Sequence, residues 1–394
     1  MHEQSRDDMA ADSVAVSDPQ APYTVYKADM SYFSGKLEAY MRYKAIPHTA
    51  VDVDMSVANT EIYPTTGTRK VPAVRTADGQ WLFDTTPTIA WFEERYSDGP
   101  VVPGDPALAF IAALLEDYAD EWLWRPSMWW RWEPPPSRRA AGWRIGALMN
   151  LGSLLTWAFG SYYAHRQRQE WLWNDGVTKE NAAAVRDMYI DELDFLQPLL
   201  DEQPYILGSH PSVADFGYFG SMFRHFGNDP DPSEVMRRRA PAVYEWLARL
   251  WNASVEKLGP SQYWEWPRAD YWQPLLRRIA RAYFPYLHQN ALAFRGGCAR
   301  FDFRGERLHF KGTTTTNYRV WCREELQRRH LSLEPADRAR VDELFAPHGG
   351  LDVLHADGVI DSGMSEHYRL PRQPLTPRDR RLPLKIAVFG QARN

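Results

Sequence analysis

The chain has 394 residues, 44% of them hydrophobic, and 46 lysines plus arginines against 51 aspartates plus glutamates for a formal net charge of −5. That length exceeds one typical domain and the apolar content suffices for sizeable cores, while the charge gives no reason to expect nucleic-acid binding. Only two cysteines, Cys298 and Cys322, argue against a disulfide framework and fit a reducing, cytoplasmic setting.

Residues 1–22 are polar and acidic, with Asp7, Asp8, Asp12 and Asp18. They lack the basic start and apolar stretch of a signal peptide and read as a disordered lead-in. Residues 23–28 alternate like a strand, and residues 34–43 have helical spacing through Leu37, Tyr40 and Met41, with Ser34 as the predicted N-cap. A second strand over 48–53 completes a β-α-β unit, and an irregular stretch follows to Lys70. Lys70-Val71-Pro72 heads a short apolar run. Proline cannot donate to a strand ladder, and a cis bond there would turn the main-chain groups of Val71 outward to meet an extended peptide-like ligand. Trp81-Leu82-Phe83 reads as a strand and 85–96 as a helix, so Asp84 and Thr85 present a carboxylate, a hydroxyl and unpaired N–H groups at one corner. That corner suits an amino-acid-like head group; it also suits an ordinary N-cap.

This order, β-α-β then β-β-α with Val-Pro before the third strand, resembles the thioredoxin-like domain of the glutathione transferases over residues 23–98. The resemblance continues in Tyr205-Ile206-Leu207-Gly208, in Ser212-Val213-Ala214-Asp215-Phe216 and in Arg239-Ala240-Pro241 with Trp246. Ser212 and Asp215 have capping-box spacing. The implied fold is an α+β, thioredoxin-like β-α-β-β-β-α domain followed by an all-α domain. The expected organisation is a lead-in over 1–22, the thioredoxin-like domain over 23–98, an all-helical domain over 106–268, a mostly helical extension over 269–350 and an extended tail over 351–394.

The resemblance also implies a chemistry. A thiol with a pKa near 8.5 is only about 3% thiolate at pH 7, and the thiolate is the nucleophile. A hydroxyl at a helix N-terminus can lower that pKa. In the tau, phi and omega classes a serine or cysteine falls five residues before a basic residue, the spacing of Ser31 and Lys36, so Ser31 is the expected thiol activator. Tyr32 stands where a proline usually follows, which leaves Tyr32 and Ser34 as alternative donors. Val71, with Pro72, would pair with the tripeptide's cysteinyl part, Asp84 and Thr85 would hold its γ-glutamyl end, and Lys70 and Lys36 its carboxylates.

Past the linker at 98–105, Leu108, Ile111, Leu114, Leu115 and Tyr118 form one helical face, with Glu116, Asp117, Asp120 and Glu121 largely on the other. An aromatic cluster follows. With Tyr32, its Trp124, Trp129 and Trp130 are candidates for the wall of an apolar electrophile pocket, or else ordinary core or dimer-face residues. Residues 145–164 are apolar, but Asn150, three glycines and the flanking Arg144 and His165 favour a buried core helix over a membrane span. Beyond residue 270 the expected elements are a long helix through Leu275 to Leu287, a hairpin over 300–310 and helices over 318–329 and 335–345; residues 371–394, rich in arginine and proline, are expected to lie extended on the surface. This extension reads equally as an appended domain, a lid or an oligomerisation element.

Walker A, His-Glu-x-x-His, Cys-x-x-Cys and Gly-x-Ser-x-Gly patterns are missing and the histidines are scattered, so no metal is expected. The expected protein is a cytoplasmic, homodimeric glutathione transferase acting on a small apolar electrophile, without nucleic-acid or membrane-spanning partners. The alternatives are a non-catalytic glutathione-binding or scaffold protein and a glutathione-dependent lyase or ether-cleaving enzyme.

Overall fold

Strand β1 (Tyr23–Lys27) runs parallel to β2 (His48–Asp52), placing Tyr23 beside His48, and antiparallel to β3 (Ala73–Arg75), placing Val25 beside Val74. With β4 (Trp81–Phe83) on the far side of β3, the sheet order is β2-β1-β3-β4. The computed structural model describes residues 18–148 and 152–374. Most of the expected lead-in and residues 375–394 of the expected tail therefore lie outside the described residues.

Helix α1 (Tyr32–Tyr43) starts two residues before the predicted position, because Ser31 and not Ser34 is its N-cap. Ser34 Oγ instead accepts the Ala28 N–H at 3.2 Å. Between β2 and β3 the chain is partly helical, with α2 (Met55–Val57), a π-turn and α3 (Tyr63–Thr66). These elements cover one face of the sheet through Tyr26, Val53, Ala58, Ile62 and Trp81. Helix α4 (Thr85–Glu93) and α1 pack on the other face, where Val25, Leu37, Tyr40, Val74, Leu82 and Phe92 open the main core. This is the thioredoxin-like arrangement the sequence order implies.

The helical region follows: α5 (Pro106–Glu121), α6 (Trp124–Trp132), α7 (Pro135–Leu148), α8 (Ser153–Trp171), α9 (Ala182–Glu202), α10 (Val213–Ser221), α11 (Pro230–Arg239), α12 (Pro241–Trp251) and α13 (Val255–Leu258). The capping box at the start of α10 closes. Asp215 Oδ2 accepts the Ser212 N–H at 2.9 Å and its hydroxyl at 3.0 Å, while Oδ1 accepts the Ile206 N–H at 2.9 Å and Trp246 Nε1–H at 3.2 Å. One buried carboxylate thus ties the 205–208 segment, α10 and α12 together, and burial pushes its pKa up to about 6.

Residues 145–164 are not a buried core helix. They span the end of α7 and much of α8, which form an antiparallel hairpin. Thr156, Gly160, Tyr163 and Ala164 turn inward, and Leu154, Leu155 and Trp157 turn to solvent.

The C-terminal region begins with α14 (Ala269–Arg278), a π-turn and α15 (Phe284–Arg295), the predicted long helix. Next come the hairpin β5 (Arg300–Arg304) and β6 (His309–Thr314), then α16 (Asn317–Leu331), α17 (Pro335–Phe345) and α18 (Asp352–His355). Phe303, Phe310, Leu326, Val341 and Phe345 join the main core, so this region is not a separately cored appendage. Helices α16 and α17 pack on α5. Nor do residues 351–374 trail away: the Arg372 N–H donates to Trp81 O at 2.9 Å and the Arg372 carbonyl accepts the return bond from the Trp81 N–H at 2.8 Å, adding one bridge to the edge of β4.

Candidate active site

Ser31 owes its position to two local facts. Its extended backbone (φ −79°, ψ 130°) makes it the N-cap of α1, with Oγ accepting the Ser34 N–H at 3.3 Å. The same oxygen stands 3.5 Å from the carbonyl oxygen of Val71, at the limit of hydrogen-bond range. The hydroxyl proton is therefore weakly held, beside the first turn of a helix whose dipole favours negative charge. The Val71-Pro72 bond is cis. Pairing of β3 with β1 begins at Ala73, so Val71 lies just before the ladder.

Asp84 caps α4 with φ 64° and ψ 128°, a backbone region uncommon outside glycine, and accepts the Thr86 N–H at 3.4 Å. Burial raises its pKa above the usual carboxylate value, against the opposing influence of Lys36, of the Tyr318 hydroxyl of α16 and of Lys70. Thr85 is 3% exposed, whereas Lys70 is exposed. Ser31, Val71 and Pro72 thus form one edge, and Lys70, Asp84 and Thr85 cluster near its other end.

Lys36 does not join them. Its ammonium is wholly buried, 2.6 Å from Glu116 and 2.5 Å from Asp120 of α5 and 3.2 Å from the Thr86 hydroxyl. Burial alone would lower its pKa, but Asp120 and Glu116 outweigh it and hold it above the ordinary lysine value. A cation so placed neutralises internal carboxylates beneath the start of α4 and has no free valence for a ligand's carboxylate.

The expected aromatic wall splits in two. The Tyr32 hydroxyl is buried and donates to the Ala119 carbonyl, and burial holds its pKa well above the ordinary phenol value, so it is spent as a thiol donor. Its ring meets Phe33 at 4.7 Å and Trp124 at 5.9 Å. Trp124 is half-buried, stacks on Phe33 (6.1 Å, 15°) and meets Trp171 edge-on at 5.1 Å. Phe33, unassigned from sequence although it lies in the same loop, belongs to this wall. Trp129 and Trp130 belong elsewhere: Trp130 Nε1–H donates to Arg186 O at 3.2 Å and its ring meets Tyr189 of α9, with Trp129 against Trp130.

The acidic face of α5 is largely enclosed, with Asp117 and Glu121 half-buried. Glu116 and Asp120 are each 4% exposed. Burial pushes Asp117 up to about 6, despite hydrogen bonds from Tyr283 and Cys322, and Glu121 up to about 7 against the opposing charge of Arg319. Cys322, which gave no site signal in sequence, is a buried free thiol beside Asp117; burial and then the Asp117, Glu121 and Asp84 charges hold its pKa well above normal, which keeps it unreactive. A cavity of about 310 Å³ lies between α4, α5 and α16, lined by Thr86, Glu116, Asp117, Tyr318, Cys322 and Tyr368 among others. It adjoins the Asp84 corner rather than Ser31. Among the described residues no group of histidine, cysteine and carboxylate side chains is arranged to hold a metal ion.

Comparison with known proteins matches residues 30–95 to the family model for the glutathione S-transferase N-terminal domain. No curated protein matches the chain. Similar solved structures include a glutathione S-transferase from Rhodospirillum rubrum F11 (16% identity, TM-score 0.40, covering 64% of this chain and 99% of that one). Others are a glutathione S-transferase from Pseudomonas fluorescens Pf-5 (17%, 0.38, 58% and 94%) and glutathione S-transferase-I bound with lactoylglutathione (16%, 0.40, 60% and 98%).

Proposed function

From a chain that carries a glutathione S-transferase N-terminal domain over residues 30–95, we infer an enzyme that binds glutathione along the Val71 edge and presents its thiolate to a carbon electrophile. The observation that carries this reading is the 3.5 Å approach of Ser31 Oγ to Val71 O, which brings a weakly engaged hydroxyl to a free peptide edge. Val71 would exchange main-chain hydrogen bonds with the cysteinyl residue. The γ-glutamyl ammonium would lie against Asp84 and a carboxylate of the tripeptide against Lys70. Lys36 acts indirectly, by neutralising the carboxylates beneath α4.

The Ser31 hydroxyl would donate to the ligand sulfur. A donor that lowers the thiol pKa by about two units supplies roughly 2.7 kcal/mol of differential stabilisation to the thiolate. The sulfur lone pair attacks the electrophilic carbon, a carbon–sulfur bond forms, and the leaving group departs with its electron pair or, in an addition, the adjacent atom takes a proton. Phe33 and Trp124 offer a flat apolar surface next to that sulfur. The same thiolate would serve a lyase or ether-cleaving reaction. The homodimer carried over from the resemblance would need a surface other than the face of α5 that α16 and α17 cover.

A second reading, a non-catalytic binding or scaffold protein, is favoured by one observation: Thr85, at the corner assigned to the γ-glutamyl end, is only 3% exposed. A panel of carbon electrophiles assayed with glutathione separates the two. Turnover above the uncatalysed rate supports the enzyme; binding without turnover on any member supports the scaffold.

A further inference from the structure

The hairpin of α7 and α8 is built inside out. Its two helices meet through small residues: a Cβ added at Gly146 would stand 2.4 Å from Thr156 O, and one at Gly160 2.3 Å from Gly142 O. Gly142 and Gly146 on α7, and Thr156, Gly160 and Ala164 on α8, recur every four residues and line the seam. Large side chains take the outside. Of the twelve large apolar residues exposed among the described residues, six fall within 143–162: Trp143, Leu148, Leu154, Leu155, Trp157 and Tyr162. Leu154 is 82% exposed and Tyr162 64%. Small residues inside and large apolar ones outside is the pattern of helices whose outer faces meet lipid.

Charge narrows the occupant. Residues 135–171 contain five arginines, Arg138, Arg139, Arg144, Arg166 and Arg168, and one acid, Glu170, within a chain whose net charge is −5. Arg168 is held by Glu133 at 2.9 Å, while Arg139 and Arg144 are exposed. A second copy docking the same patch across a two-fold axis would set one net-positive surface against another. An anionic surface complements them, and exposed tryptophan, tyrosine and leucine beside arginine is the composition that settles at a bilayer interface. No helix among the described residues is long and apolar enough to cross a membrane, so the contact is interfacial. We propose that the α7–α8 hairpin is a docking element for the interface of an anionic lipid bilayer, and that it holds the protein on that surface without spanning it.

The test is co-sedimentation of the full chain with phosphatidylglycerol-phosphatidylcholine vesicles and with pure phosphatidylcholine vesicles. The proposal requires binding to the anionic vesicles that is at least about tenfold weaker on the neutral ones and falls as salt is raised. The double variant Leu154→Ser, Trp157→Ser should lose binding with an unchanged melting temperature, and Arg139→Gln with Arg144→Gln should weaken it. Hydrogen exchange on the unaltered protein needs no variant: residues 143–148 and 153–162 should gain protection on anionic vesicles. Failure to bind anionic vesicles, equal binding to neutral ones, or unchanged exchange over 143–148 and 153–162 would overturn the proposal. So would a dimer seen by light scattering that the Leu154→Ser, Trp157→Ser variant abolishes, since the patch would then belong to a second copy.

Discussion

The hydroxyl oxygen of Ser31 lies 3.5 Å from the carbonyl oxygen of Val71, joining the N-cap of the first helix to the residue that precedes the third strand. Forty residues separate them in sequence, and the contact puts a proton donor at the middle of an unpaired peptide edge. The cap geometry fixes the donor, and the weakness of the contact leaves its proton available.

Ser31→Ala removes that donor. Conjugation turnover should fall by up to about a hundredfold, the equivalent of two pKa units in the bound thiol, with glutathione affinity changed far less. The cap bond to Ser34 is lost too, so a stability loss of about 1 kcal/mol should accompany it in urea unfolding. Unchanged turnover would move the thiol donor elsewhere.

The two halves of the tryptophan cluster should separate in kinetics. Trp124→Ala should raise KM for flat aromatic electrophiles while the KM for glutathione stays near its original value, because Trp124 stacks on Phe33 beside Ser31. Trp130→Ala should instead cost about 3–5 kcal/mol of stability by opening the α6–α9 contact, with no change in electrophile preference. Steady-state kinetics on a graded electrophile series and denaturant melts distinguish the outcomes.

Lys36→Met strands Glu116 and Asp120 in the interior without their cation. Breaking a buried pair this way costs about 3–5 kcal/mol. The expected result is a large drop in the urea midpoint, partly rescued when Asp120→Asn is added. If Lys36 touched a ligand carboxylate instead, glutathione affinity would collapse while the midpoint held.

Glu121 carries a raised pKa of about 7 in the folded protein, against an ordinary value of 4.5. Between those two values the folded state holds a proton that the unfolded state has released, so this group's contribution to stability falls as pH rises. Glu121→Gln lacks that proton equilibrium. The melting temperature of Glu121→Gln relative to the original protein should therefore climb from pH 5 to about pH 7 and level off above it; a flat difference across that range would mean that Glu121 titrates normally.

What sequence made legible was local chemistry. The β-α-β order, Val71-Pro72, the Asp84 cap and the Ser212–Asp215 capping box depend on residues close in the chain, and each stands where its pattern indicated. Two serines three residues apart offer the same cap signal, so sequence does not separate Ser34 from Ser31, and only the loop geometry selects Ser31. Lys36 could not be placed from sequence because its partners come from α5, eighty or more residues away. The same holds for Tyr318 and Cys322, which reach the Asp84 corner from α16. Periodicity marked residues 145–164 as apolar but cannot say which side of a helix meets protein. The glycine spacing carries that information, because small residues mark the face where two backbones approach.

The central claim is that glutathione occupies the edge from Ser31 to Asp84, and titration calorimetry on the full chain and on Asp84→Asn tests it most directly. The account predicts a single saturable site for glutathione and an affinity about tenfold or more weaker in Asp84→Asn, since that substitution removes the charge facing the ligand's ammonium. No binding heat and no thermal shift with millimolar glutathione, or equal affinity in the two proteins, would contradict it.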